Sequence, residues 1–217
     1  MRAMNFGTNR LGFKAVLIFS ALLFTSPVKA YFSTLDTGEL VAPGKYQISI
    51  EPQFIFQNHS GFNAVARFDT GINEESSVRG VLGVGTVDFE IGGFYKWVPF
   101  PDLETQPAVG GLVGVTIARV NSDTHYNLRF HPLVSKKLES EIGDVIPYGS
   151  LPIGISSRPD KTVVPIQLVA GAELRPLNTP NFSFFGELGA NVNDAFGYVS
   201  AMISYRFDET ILERASR

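Results

Sequence analysis

The fold this chain of 217 residues predicts is all-β: a closed, antiparallel, up-and-down transmembrane β-barrel of about ten strands, with eight as the alternative count. Three observations point there. Hydrophobicity alternates with a period of two along ten successive segments, which puts alternate side chains on opposite faces of a strand. The apolar row of each segment holds no charge and no amide, and the charges collect on the other row. Beyond the first thirty residues there is neither a run long enough for a transmembrane helix nor a convincing amphipathic helix.

The elements follow in order. Arg2, Arg10 and Lys14 precede the apolar run Ala15–Phe24, and Val28-Lys29-Ala30 presents small side chains before a cut. That order predicts a signal peptide over 1–30, cleaved near Ala30 to leave a chain beginning near Tyr31. Cleavage removes four basic residues (with Lys29) and no acid, so the mature chain is more acidic than the formal −3 of the whole. This argues against a nucleic-acid partner. With no cysteine, the exported chain has no disulfide, no thiol metal site and no lipid-anchoring Cys. Residues 31–44 are expected as a periplasmic lead-in, 45–207 as the barrel and 208–217 as a tail.

Within 45–56, Tyr46, Ile48, Ile50, Phe54 and Phe56 oppose Lys45, Gln47, Ser49, Glu51 and Gln53. The rows Phe62–Phe68, Val78–Val84 and Val87–Trp97 come next, against Arg67 and Asp69, Arg79, and Asp88, Glu90 and Lys96. Val109–Ile117 and Tyr126–Val134 follow, the latter against His125, Arg129 and His131. The last four rows are Val145–Ile155, Val164–Leu174 (against Glu173), Phe182–Val192 (against Glu187) and Val199–Phe207. Gly85-Thr86 and Asn193-Asp194 each fit a two-residue hairpin, pairing Val84 with Val87 and Val192 with Ala195. Longer connections fall at 71–76, 98–107, 139–144, 157–161 and 176–179, and Pro99, Pro101 and Pro107 make the second a firm break.

Face polarity separates a membrane barrel from a soluble one. A soluble barrel wets its outside; an apolar-out, polar-in wall is stable when the outside is lipid. Strands of roughly 11–12 residues, rising about 3.3 Å each and tilted about 40°, match the apolar band. Aromatics fall into two expected belts, Tyr46, Phe68, Tyr95, Trp97, Phe182, Tyr205 and Phe207 near one rim and Phe56, Phe62, Phe89 and Tyr126 near the other.

The stretch Phe185-Gly-Glu-Leu-Gly-Ala-Asn191, a tight hairpin and a run ending Tyr205-Arg206-Phe207 resembles the last hairpin of small Gram-negative outer-membrane barrels, the outer-membrane protein A-like and porin-like superfamily. Ser33-Thr-Leu-Asp-Thr-Gly-Glu39 looks like a pre-barrel segment of the same proteins. The resemblance implies outer-membrane localisation, lipid as surroundings, and recognition of the strand ending at Phe207 by the barrel-assembly machinery. The chain departs from it by continuing past Phe207 and by outer loops no longer than the inner turns.

Chemistry is sparse. His125 and His131 share a face but stand roughly 20 Å apart along it, too far to share a metal. His59-Ser60 in the first loop lacks the third group a catalytic pair needs. Gly83-Val-Gly85 and Gly110-Gly-Leu-Val-Gly114 lie inside strands with no helix following, so they are not phosphate loops. No enzyme activity, cofactor or metal site is expected. What stands out is charge facing inward. Pairing Gln57 with Gly61, Phe68 with Val78 and Val84 with Val87 sets Glu51 opposite Arg67, with Arg79 and Glu90 beside them. This is a four-strand belt, either a selectivity constriction or a polar core filling a narrow barrel. Asp69, Asp88, Lys96, His125, Arg129, His131, Glu173 and Glu187 are the other lumen-facing candidates. The expected function is a structural barrel or narrow passive pore; the alternatives are an outer-membrane lipid-modifying enzyme and a soluble periplasmic ligand-binding barrel.

Overall fold

The structure, a computed structural model, describes residues 33–56, 60–120, 123–159 and 161–208. The expected signal peptide and cleavage site, His59 and residues 209–217 lie outside the described residues. The period-two segments form β1 (Lys45–Ile55), β2 (Gly61–Asn73), β3 (Ser76–Gly85), β4 (Phe89–Phe100), β5 (Ala108–Val120), β6 (Asp123–Ser135) and β7 (Leu138–Ser140). They continue as β8 (Gly143–Ser150), β9 (Ile153–Arg158), β10 (Lys161–Val163), β11 (Ile166–Pro176), β12 (Phe182–Asn193) and β13 (Tyr198–Asp208).

All pairings between these strands are antiparallel, and β13 pairs with β1, which closes the ring and leaves one side unpaired only in the short pieces β7 and β10 among the described strands. β8 and β9 both pair with β6 on one side and with β11 on the other, so they are two halves of one stave broken at Leu151–Pro152. β10 and β11 are likewise one stave broken at Val164–Pro165. With β7 as a short extension past β6, the barrel has ten staves. Proline explains the breaks, because it has no N–H to give the ladder. The two breaks bond to each other instead: Gln167 N donates to Pro152 O and Gly154 N to Pro165 O, each at 3.0 Å.

The facing of the wall follows the alternation. On β1, Ile48, Ile50 and Phe54 are exposed while Gln47, Ser49, Glu51 and Gln53 are buried in the lumen. Register differs from the expectation in the first three hairpins, each time by two residues. Ile55, not Gln57, pairs with Gly61; Phe68 pairs with Gly80; Gly83 pairs with Glu90. A slip of two preserves every face, so face polarity cannot detect it; loop length sets it. Neither expected two-residue hairpin forms. The β3–β4 ladder ends at Gly83–Glu90, and the connection beyond it turns Val87 inward and leaves Asp88 exposed, so Asp88 is not a lumen residue. The β12–β13 ladder ends at Gly189–Tyr198, and Ala195 and Phe196 fold inward while Val192 stays outside.

The expected belt aromatics all point outward. Across the closing seam Phe68, Tyr46, Phe207, Tyr205 and Phe182 form a continuous row, with ring centroids 5.8, 5.6, 6.2 and 5.0 Å apart in turn. Tyr95 and Trp97 lie outward on β4, and Phe56, Phe62, Phe89 and Tyr126 are exposed toward the opposite ends of their strands.

The largest departure concerns residues 31–44, expected outside the barrel as a lead-in. The described part, from Ser33, runs inside it. Ser33, Thr34, Leu35, Asp36 and Thr37 are buried in the lumen, and only Ala42, Pro43 and Gly44 are exposed where the chain turns into β1. Small polar side chains with regularly placed acids fit a wall rich in cations, and that overrides the expectation of a solvated leader.

Candidate functional site in the lumen

The site is built from the wall inward. β1 to β4 each place one or two charged side chains toward the axis: Glu51, Arg67 and Asp69, Arg79, then Lys96. β11 and β12 add Glu173 and Glu187, both buried. Three inward aromatics stand directly opposite glycines on the next strand: Phe94 with Gly114, Tyr148 with Gly171 and Tyr198 with Gly189. A Cβ at these glycines would come within 2.3, 2.4 and 1.9 Å of the facing ring, so the rings lie across the bare backbone. Lying flat, Tyr148 and Tyr198 extend their hydroxyls to Glu187, at 2.8 and 2.5 Å.

The N-terminal segment completes this constellation. Thr34 N and Leu35 N donate to the two carboxylate oxygens of Glu187, at 2.8 and 2.5 Å. Glu51 and Arg67 form a buried ion pair. Ser33 Oγ donates to Glu51 Oε1, and Arg67 donates to Thr34 O at 2.8 Å and Ser33 O at 3.3 Å. Asp36 sits between Arg79 (3.0 Å) and Lys96 (2.6 Å), while Arg79 also binds Asp69 at 2.6 Å. Lys96 donates to Glu39 O at 2.6 Å, and Arg175 binds the Glu39 carboxylate at 3.0 Å. Thr37 Oγ1 donates to Glu173 at 3.0 Å, and Gly38 N donates to Ser135 Oγ at 2.8 Å. Glu173 also receives Arg175 at 2.6 Å and Arg206 at 3.2 Å. Leu35, fully buried, joins an apolar cluster with Val81, Phe94, Leu112, Leu133, Tyr148 and Phe185.

The expected four-member belt is therefore divided. Glu51 and Arg67 meet, but diagonally: Arg67 is paired in register with Ser49 and Glu51 with Val65. Arg79 turns to Asp69 and Asp36. Glu90 lies apart and accepts from Thr116 Oγ1 at 3.2 Å, which in turn accepts from Asn127 at 3.0 Å. His125 and Arg129 face the lumen on β6, as does His131, whose Nδ1 is 3.4 Å from Thr34 Oγ1. Sequence reasoning missed Ser135, Tyr148, Arg175 and Tyr198 as lumen partners, whereas the alternation did set Arg206 on the inner face. An inward-phase aromatic opposite a glycine was the available signal for the tyrosines.

Among the described residues the lumen around the segment is packed. Glu51, Gln53, Glu173 and Ser204 have no exposed surface. Beside Ser33, Thr34, Arg67, Arg79, Phe94 and His131 lies a void of about 10 Å³, room for about one water. This arrangement can hold an extended chain rigidly.

No known protein-family profile matches the chain, and no curated protein matches it. Solved barrels do. A de novo designed transmembrane β-barrel is 15% identical over 78% of this chain and 100% of its own, with a TM-score of 0.38. The β domain of the Bordetella autotransporter BrkA is 12% identical over 77% and 99%, with a TM-score of 0.44. An outer-membrane channel from Pseudomonas putida F1 is 10% identical over 82% and 100%, with a TM-score of 0.42. The likeness is one of barrel type; closure, facing and lumen chemistry rest on the pairing and burial described above.

Proposed function

We propose that this chain is an integral barrel of a Gram-negative outer membrane with a structural role, its lumen shut by its own residues 33–41. One observation carries the reading: the outward face is apolar through the middle of every stave. Ile50, Val115 and Leu188 are each more than 60% exposed, a large apolar surface that water would penalise and lipid would not. A charge returns to this face at a strand end, as at Arg119 beyond Val115 and Ile117. The packed lumen favours a structural barrel over an open passive pore, and the outward apolar face disfavours a soluble periplasmic one.

The test is membrane stability of paired variants. Ile50→Arg, outward on β1, should cost about 2–4 kcal/mol in urea unfolding from liposomes, the penalty for a cation near the bilayer centre. Val84→Arg, also outward but close to the β3 end, should cost less. Equal costs would remove the lipid-facing assignment. The intact mature chain in a planar bilayer should give no steady conductance; a stable open channel would replace the structural role with a pore.

A further inference from the structure

Residues 33–39 are held as a bound peptide is held. Their main chain is read by side chains of the wall: Glu187 takes the N–H groups of Thr34 and Leu35, Arg67 the carbonyls of Ser33 and Thr34, Ser135 the N–H of Gly38 and Lys96 the carbonyl of Glu39. Their side chains are read separately. Leu35 enters the apolar cluster, Asp36 meets Arg79 and Lys96, and Glu39 meets Arg175. At Gly38 a Cβ would stand 2.3 Å from the Ala108 Cβ, so this position takes glycine. The link to the barrel is thin: Ala42, Pro43 and Gly44 are exposed, and Gly44 turns with φ +75° with nothing within 4 Å of where a Cβ would stand.

We propose that the lumen is a peptide-binding site for extended acidic peptides, and that residues 33–39 are its resident ligand. The recognised pattern is a large apolar residue followed by an acid, then a glycine two residues on and a second acid directly after it. Charge argues for an acidic occupant. The counter-ion of the buried Lys96 ammonium is Asp36, so removing the segment leaves a buried cation that a new anionic ligand would satisfy. Backbone shape argues for exchange. Leu35 is held at φ 35°, a conformation L-residues adopt at a cost, so the resident segment spends part of its binding energy on its own strain. The proposal rests on the barrel reading above.

The experiment uses the full mature chain with a protease site in place of Ala42–Gly44, folded before it is cut. Heat-modifiable gel mobility before cutting reports the barrel; its absence defeats the barrel reading itself. After cutting, a Ser-Thr-Leu-Asp-Thr-Gly-Glu peptide labelled at its C-terminal end, where the link leaves the rim, is followed by fluorescence anisotropy. Uptake of the label should be saturable. A foreign peptide that keeps only the pattern, Ala-Gly-Leu-Asp-Ala-Gly-Glu, should displace it in a similar concentration range. The same peptide with Asn for Asp should be at least about tenfold weaker, the loss expected for one charge-assisted hydrogen-bonded contact. Lys96→Met in the barrel should shrink that Asp/Asn difference to the part that Arg79 supplies. A folded, cut barrel that takes up no label overturns the proposal. So does displacement by the resident sequence alone, which would make the segment a private plug, or equal competition by the Asn peptide.

Discussion

The two ends of the lumen are furnished differently. Toward the rim where β1 begins and β13 ends, the wall carries Arg67, Asp69, Arg79, Lys96, Glu173, Arg175 and Arg206, and the tethered segment adds Asp36 and Glu39. Toward the other rim amides and hydroxyls surround the buried Glu51 and Glu90. Gln53 donates to Glu51 and accepts from Asn63, Asn127 donates to Thr116, and Gln167 donates to the Phe196 carbonyl. The difference has a physical logic. Where the wall faces itself across strands, amides and hydroxyls satisfy one another and these carboxylates over short distances. Where a separate strip of chain must be gripped from all sides, full charges supply reach and direction, and the strip brings the opposing charges.

Four substitutions or conditions press on that contrast. The largest effect belongs to Arg67→Met, at the charged end. It strips the buried Glu51 of its counter-ion, takes the Arg67 donor from the Ser33 carbonyl and leaves Thr34 O only the longer bond from Arg79, and should cost about 3–5 kcal/mol in urea unfolding from liposomes. A loss below 1 kcal/mol would mean the ion pair is not dry. Next, Gly38→Val forces a side chain against Ala108 and should cost about 1–3 kcal/mol, with increased protease cleavage before residue 42. Unchanged proteolysis would mean the segment is not seated as described. At the other end, Thr116→Val removes the hydroxyl between Glu90 and Asn127 and should cost about 1 kcal/mol while leaving proteolysis of the segment unchanged.

The smallest effect lies at the rim. Partial burial alone would raise the Asp102 pKa, but hydrogen bonds from Lys136 Nζ and Lys137 N, both 2.5 Å, outweigh it and hold the carboxyl below its ordinary value. A lowered folded pKa means that this clasp contributes fully above the unfolded value of about 3.9 and is lost as pH falls through the folded one. Amide exchange at Lys137 should stay slow down to about pH 4 and accelerate below it. Acceleration already near pH 5 would show that the clasp does not form.

The ten staves and their facing were legible because alternation is a strong local signal, and Glu51, Arg67, Arg79, Lys96, Glu173 and Glu187 were placed on the inner face by that signal alone. Register was legible in the last hairpin, where Val192 with Ala195 implies the observed Gly189–Tyr198 pairing, but not in the first three: a two-residue slip leaves Arg67 facing inward whether its partner is Glu51 or Ser49. Nor was the position of Ser33–Glu39. That segment has no periodicity, and its buried location depends on charges contributed by strands up to about 150 residues away, which local pattern does not reach. Val87 and Ala195 were misplaced for a related reason, since both sit where the ladder has ended and the alternation no longer constrains the backbone.

The tethered segment also has a consequence for the order of folding. Its contacts span a wide range of sequence distance, 18 residues to Glu51 but 153 to Glu187. Contacts of short separation cost less chain entropy and form earlier. The partners on β1 to β4 are therefore available while the sheet is still open, and Glu187 only once β12 has been added. A hydrogen bond present at the rate-limiting step changes the folding rate when removed, and one formed later changes the unfolding rate. Weakening the Asp36 grip should slow assembly, and weakening the Glu187 grip should hasten its loss. The same short strip of chain thus acts as a template at the start of barrel formation and as a lock at its end.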